Sequence, residues 1–198
     1  MSLTPLAIND VAEAVLACVC TALDAAAVDV EGQPGCPDCR ACLVPGQPAW
    51  DSCEDPCSDD EAGGQLSVSV VRTYPTSLEE FPSPMGEKRL VQGVRGCTPP
   101  SVIAVELLVT LLRCAPTMDE NGCPPSCEEL SRAARVLHVD MVTVQNALLC
   151  CLPGTSTRPR GRIFSLGQQR AVGPDGGCVG VEQRVTVALP GCRCPEES

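Results

Sequence analysis

Aromatic and basic residues are scarce in this sequence of 198 residues. Trp50, Tyr74, Phe81 and Phe164 are its only aromatic residues, and 25 acidic residues outnumber 14 basic ones, which gives a net charge of −11. Proteins that bind single-stranded nucleic acid stack the bases on aromatic side chains, and proteins that neutralise phosphates need a basic surface. The composition therefore disfavours direct, tight binding of DNA.

The N-terminus lacks the features of a secretory signal. No Lys or Arg occurs before Arg40, and Asp10, Glu13 and Asp24 interrupt the first apolar stretch. The sequence thus offers neither a basic start nor an uninterrupted hydrophobic segment. The apolar run 102–112 is interrupted by Glu106 and is too short to cross a bilayer. We expect a soluble protein that is made in the cytosol and has no membrane partner.

Residues suited to catalysis are equally few. His138 is the only histidine, and no nucleophile or carboxylate set is evident around it. Gly173, Gly176 and Gly177 join two predicted strands and precede no helix whose N-terminus would hold a phosphate. The acidic residues cluster in a loop that lacks the ligand pattern of an EF-hand. The sequence predicts no catalytic residues and no cofactor, and therefore not an enzyme.

Cysteine, by contrast, is abundant, with 16 residues. A disulfide framework at this length normally belongs to an extracellular domain that enters an oxidising compartment through a signal peptide. Without such a signal, two interpretations fit. The thiols bind metal in the cytosol, or the chain belongs to a particle that is assembled inside a cell and then released. We favour the second interpretation.

The densest cysteine cluster lies between residues 36 and 57. Its spacing suggests four possible zinc ligands, which are Cys36, Cys39, Cys53 and Cys57. Cys42 is left over, and no buried strand precedes the Cys36/Cys39 pair as a thioredoxin-like motif requires. Disulfides are the favoured interpretation, with candidates Cys36, Cys39, Cys42, Cys53, Cys57, Cys114, Cys123 and Cys127. Cys18, Cys150 and Cys151 are interpreted as small packing residues of helices.

Two segments have the apolar periodicity of helices. The first is 4–27, with Thr4 as the N-cap and Pro5 at the first helical position. The second begins with a capping box of Ser126 and Glu129 and ends before Pro153. Its predicted buried stripe is Leu130, Ala134, Leu137, Met141, Val144 and Leu148.

Four further segments read as strands. Residues 65–74 alternate as in a half-buried strand, and 102–114 are apolar on both faces, as in a central strand. Residues 161–172 and 179–189 form a predicted hairpin, and alternation in the second arm places Glu182, Arg184 and Thr186 on its polar face. We expect one α+β domain over 1–198, with two main helices on a mostly antiparallel sheet. Residues 32–64 form a long inserted cysteine-rich loop without regular structure, and 190–198 a C-terminal tail.

Several stretches together resemble the tail terminator or head-to-tail connector proteins of long-tailed phages that infect actinobacteria. The resemblance covers about 36–189 and rests on Ala49-Trp50-Asp51-Ser52-Cys53, Gly64-Gln65-Leu66-Ser67-Val68, Leu112-Arg113-Cys114-Ala115-Pro116-Thr117, Ala147-Leu148-Leu149-Cys150-Cys151-Leu152 and Gly176-Gly177-Cys178-Val179-Gly180. It implies the α+β fold of lambda-type tail terminators, without catalysis or cofactor.

The resemblance also implies a role. Six copies would form a ring that caps the tail tube, stops its polymerisation and meets the head-side stopper or connector. The expected partners are further copies, the tail tube protein and the head-side connector, with DNA as passing cargo. The chain would reside in the neck of the virion, and in the host cytoplasm during assembly. A net negative subunit suits a narrow lumen because it repels phosphate.

Three alternatives stay open at the level of sequence. The chain is another neck protein such as a stopper, a small zinc-binding adaptor whose 36–57 loop recruits a partner, or, least favoured, a thiol oxidoreductase. The stopper differs from the terminator only in its neighbours in the particle. The adaptor requires metal at the four cysteines of the loop.

Overall fold

Two helices cover one face of a five-stranded sheet. The computed structural model describes residues 6–37, 40–48, 63–84, 102–118, 121–152, 162–175 and 177–191. The elements in chain order are α1 (Ala7–Asp29), β1 (Ala41–Val44), β2 (Gln65–Thr76), β3 (Val102–Cys114), α2 (Cys127–Cys151), β4 (Phe164–Asp175) and β5 (Cys178–Pro190). The strand order is β1-β2-β3-β5-β4, with β1 parallel to β2 and the other pairs antiparallel. The predicted α+β class is confirmed.

The central position predicted for 102–114 is confirmed. β3 pairs with β2 on one side and with β5 on the other, along almost its full length. Alternate β3 residues face opposite sides of the sheet. We call the helix-covered side the inner face and the opposite side the outer face. The inner-face core contains Leu66, Val68, Val105, Leu107, Val109, Leu111, Val185, Val187 and Leu189.

The apolar stripe of α1 packs on this inner face. Val11, Val15, Val19 and Leu23 are each at most 1% exposed, as the helical spacing predicts. By length and composition alone, α1 is also long and apolar enough to cross a membrane. Here the stripe forms the core of the described fold. The predicted N-cap and first helical residue lie outside the described residues.

The capping box of α2 is confirmed. Ser126 Oγ accepts a hydrogen bond from the Glu129 backbone N–H, and the Glu129 side chain accepts one from the Ser126 backbone N–H. The predicted stripe is only partly correct, because the buried residues of α2 begin at Asp140 and Leu130 is 48% exposed. Periodicity identifies one apolar face, but it does not show how far a partner element extends along it.

Strand β1 corrects the prediction that 32–64 contains no regular structure. Ala41 to Val44 pair in parallel with Leu66 to Ser69, and Ala41 and Leu43 pack against the core. A four-residue strand is too short to show periodicity, and its parallel partner is distant in sequence. Residues 49–62 of the predicted loop lie outside the described residues.

The predicted hairpin is confirmed, and it is longer than expected. β4 pairs antiparallel with β5 and extends to Asp175. β5 includes Pro190, so this residue does not belong to the tail; residues 192–198 lie outside the described residues. β4 forms one edge of the sheet, and its register shifts twice.

Strand β2 is also more buried than predicted, because Ser67 and Ser69 of the outer face are both buried.

Candidate functional site

Two disulfides tie α1 to other parts of the fold. Cys18 in α1 is bonded to Cys151 at the end of α2, with their Cα atoms 6.3 Å apart. Cys20 is bonded to Cys36, in the segment that follows α1. The interpretation of Cys18 and Cys151 as packing residues is therefore wrong. Their sequence separation of 133 gives no local signal, because the pairing follows from the packing of one helix on the other.

The remaining cysteine candidates have different environments. Cys39, Cys53 and Cys57 lie outside the described residues. Cys42 and Cys127 carry free, exposed thiols. Four further cysteines complete the described set. Cys114 and Cys123 are exposed, and Cys178 is disulfide-bonded. Cys150, interpreted from the sequence as a packing residue, instead carries a free, exposed thiol.

Cys36, one of the four candidate zinc ligands, does not bind zinc in this structure because its sulfur is bonded to Cys20. In the described ranges, no group of three or more His, Cys, Asp or Glu residues is placed to hold a metal ion. His138 is exposed on α2 and lines a groove of about 780 Å³ with residues of both helices, among them Asp29, Val139 and Val142.

A buried polar cluster joins β3, α2 and the segment after α1. Arg113 Nε and Nη2 donate to Asp140 Oδ2 and Oδ1 at 2.9 and 3.1 Å. Gln33 Nε2 donates to Asp140 Oδ1 at 2.7 Å. The guanidinium also donates to the Gly35 and Pro34 carbonyls at 2.9 and 3.3 Å. The cluster holds the entry to the cysteine-rich segment against the sheet.

The cluster was not predicted, although one signal was present. Asp140 lies four residues before Val144, at a spacing that places both on one helix face. Burial raises the pKa of the Asp140 carboxyl, while the hydrogen bonds and charge of Arg113 and the hydrogen bond of Gln33 oppose this shift. Most N–H donors of Arg113 are already paired inside the cluster, so few are left to bind a ligand. The cluster therefore serves to link the three segments.

The outer face carries a second group of charges, which we call the arginine–glutamate network: Arg72, Glu106, Arg170, Glu182 and Arg184. Glu106 Oε2 accepts from Arg72 Nε, and its Oε1 accepts from Arg184 Nη1, both at 2.6 Å. Glu182 Oε2 accepts from Arg170 Nη2 at 2.7 Å and from Nε at 2.9 Å. These contacts cross strands β2, β3, β5 and β4.

Strand register explains the network. Arg72 lies directly opposite Glu106, and Arg170 lies directly opposite Glu182, which is the placement in which cross-strand charges attract best. The sequence predicted Glu182 and Arg184 on the polar face of their strand. Glu106 was visible only as a charge that interrupts the apolar run 102–112, and no partner was predicted for it. The partner of a charge on a strand depends on register, and register is not encoded locally.

The two kinds of side chain in the network differ in exposure. The Glu106 and Glu182 side chains are 8% and 9% exposed, whereas the three arginines are 47–60% exposed. Burial opposes ionisation of Glu106, but the hydrogen bonds and charges of Arg72 and Arg184 outweigh it and lower the pKa of this carboxyl. The buried glutamates thus hold the arginines in place, and the arginines expose positive charge to solvent.

Two further features lie beside the network. The Arg72 guanidinium stacks over the Tyr74 ring, 4.9 Å from its centre, a contact that fixes the cation in place. A pocket of about 110 Å³ is lined by Leu108, Gln168, Arg170, Glu182 and Arg184. An arginine keeps its proton in proteins. The arrangement is therefore suited to binding acidic groups and not to proton transfer.

Neither a known family model nor a curated protein matches the chain.

Proposed function

We propose that the chain is a structural subunit of a virion, which forms a ring at the head–tail junction of a long-tailed phage. The ring ends tail-tube polymerisation and joins the tail to the head connector. One observation carries this proposal: helices cover the inner face of the sheet, and the outer face presents the arginine–glutamate network across β2, β3, β5 and β4. A fixed charged surface of this kind is suited to specific recognition of another protein.

The composition of the outer face supports a role in assembly. Arginine and tyrosine are enriched in protein interfaces and dominate their binding energy, and Arg72 and Tyr74 are stacked here. The guanidinium groups are held by buried carboxylates, so little side-chain freedom is lost on binding. The proposed partners are five further copies, the tail tube protein and the head-side connector.

The overall charge and the disulfides are compatible with this role. A net charge of −11 disfavours a tight grip on DNA that passes through a ring. Two disulfides brace α1 against α2 and against the segment after α1, which suits a particle released into oxidising surroundings. The resemblance to tail terminators supplies the specific place in the particle.

Deletion of the gene tests the proposal and separates it from the stopper alternative. Without a terminator, tail tubes should grow beyond their normal length. Without a stopper, tails should keep their normal length and fail to join filled heads. Cryo-electron microscopy of the wild-type neck should show the chain as a ring of six copies. A particle that lacks the chain, or holds a single copy, would contradict the proposal.

A further inference from the structure

The pocket of the arginine–glutamate network is sized for one side chain. Its volume of about 110 Å³ equals a few water molecules at about 30 Å³ each, whereas sites for small-molecule ligands begin at about 300 Å³. Arg170 and Arg184 flank it, and Gln168 adds a polar side chain. A carboxylate is the side-chain group that two guanidinium groups bind best.

Both arginines retain hydrogen-bonding capacity toward such a group. Arg170 uses Nε and Nη2 on Glu182, and Arg184 uses Nη1 on Glu106. A guanidinium has five N–H donors, so each keeps donors that no described residue occupies. The arginine side chains are 60% and 47% exposed, which leaves these donors within reach of a partner.

The helix layer carries the complementary charge. α1 contains acidic residues and no Lys or Arg. Asp24 already accepts a hydrogen bond from the Cys36 backbone N–H, whereas Asp10 and Glu13 are exposed. These two lie three residues apart, so they share one face of the helix. The adjacent exposed Ala14 and Ala17 are small and permit close approach.

We infer that the pocket between Arg170 and Arg184 receives a carboxylate from the Asp10–Glu13 face of α1 of a second copy of this chain. The inference deepens the proposed function and rests on it, because it names the contact by which copies join. α1 lies on the inner face and the pocket on the outer face, so one copy offers its helix while the next offers its pocket. Such a head-to-tail contact generates a ring when the rotation closes.

A charge-exchange experiment tests the contact. The face variant is Arg170→Glu, and the helix variant is Asp10→Lys with Glu13→Lys. Each alone should weaken self-association at least about tenfold, because like charges then oppose each other across the interface. An equal mixture of the two variants should restore assembly, because both contacts are then attractive. The unchanged α1 of the face variant meets the unchanged pocket of the helix variant. The lysines of the helix variant meet the glutamate at position 170 of the face variant. Mass photometry should show assemblies with an even number of copies.

Controls keep the result specific. Arg132→Glu makes the same charge change at an exposed position of α2 and should assemble like the wild type. Circular dichroism checks folding. If Arg170→Glu does not fold, Arg170→Gln removes the cation and retains an amide donor for Glu182, and it should also weaken association at least about tenfold. Wild-type association should weaken with added salt.

Three outcomes would overturn the contact. One is a folded helix variant that assembles like the wild type, and another is a mixture of folded variants that does not assemble. The third is a wild-type chain that stays monomeric in solution. The proposed function is judged separately, by the position of the chain in the particle and by tail length after gene deletion, so the two failures are distinguishable.

Discussion

Arg113 in β3 and Asp140 in α2 form a bidentate ion pair inside the fold, with side chains 6% and 0% exposed. The same guanidinium binds the carbonyls of Pro34 and Gly35. One pair thus fixes α2 and the segment after α1 to the central strand. Breaking a buried pair is costly because one charge stays buried without a partner. The pair therefore helps to hold α2 on the sheet, together with the apolar core.

Asp140→Asn should lower the free energy of unfolding by about 3–5 kcal/mol, because Arg113 loses its counter-charge inside the protein. Urea unfolding of both proteins measures the difference. The matched control is Glu128→Gln, which breaks an exposed pair with Arg132 at 3.5 Å and should cost less than about 1 kcal/mol. Similar losses for the two variants would show that the Asp140 pair is not buried.

Glu106→Gln should reduce the loss of stability on acidification. The folded-state pKa of Glu106 is lowered from its ordinary value of 4.5 by Arg72 and Arg184, which outweigh the opposing effect of burial. The ionised form therefore stabilises the folded protein above about pH 4.5, and this stabilisation is lost as the pH falls through the folded-state pKa. Denaturant midpoints measured from pH 7 downward compare the two slopes.

Arg184→Gln tests the same ion pair from its other side. It removes one of the two cations that hold the Glu106 carboxylate, so its slope should also be shallower than that of the wild type. A Glu106→Gln protein with the full wild-type slope would mean that other carboxylates account for the pH dependence.

Local patterns predicted the elements better than their connections. The Ser126–Glu129 capping box and the two-faced apolar run of β3 were recognisable because each depends on neighbouring residues. The Arg113–Asp140 pair and the Cys18–Cys151 disulfide were not, since their members are 27 and 133 positions apart. Such pairs follow from how helices are placed on the sheet, and only the tertiary structure determines that placement.

The outer-face site shows the same limit. Alternation along β5 predicted that Glu182 and Arg184 share a polar face, and the structure agrees. The network itself required the register of four strands, which one sequence does not specify. The exposed first half of α2 was mispredicted because Leu130 has helical spacing but no buried environment.

Replacing Cys18 and Cys151 together by Ala should lower the free energy of unfolding by about 2–5 kcal/mol, because the disulfide closes a long loop in the unfolded chain. The control is Cys150→Ala, which removes the adjacent free and exposed thiol and should change stability by about 0.5 kcal/mol or less. Peptide mapping without reduction should recover the Cys18–Cys151 and Cys20–Cys36 links. Recovery of Cys151 as a free thiol from the native protein would contradict the helix–helix bridge.

Leu148→Ala should lower the free energy of unfolding by about 2–5 kcal/mol, because it opens a cavity where α2 packs on the sheet and Leu148 is 0% exposed. Leu130→Ala makes the same chemical change in the same helix, where the side chain is 48% exposed, and should cost about 0.5 kcal/mol or less. Denaturant unfolding is measured at concentrations where the chain is monomeric, so that an interface does not protect Leu130. Equal losses of stability at the two positions under those conditions would show that the first half of α2 is also buried. The full apolar stripe predicted from the spacing would then be correct.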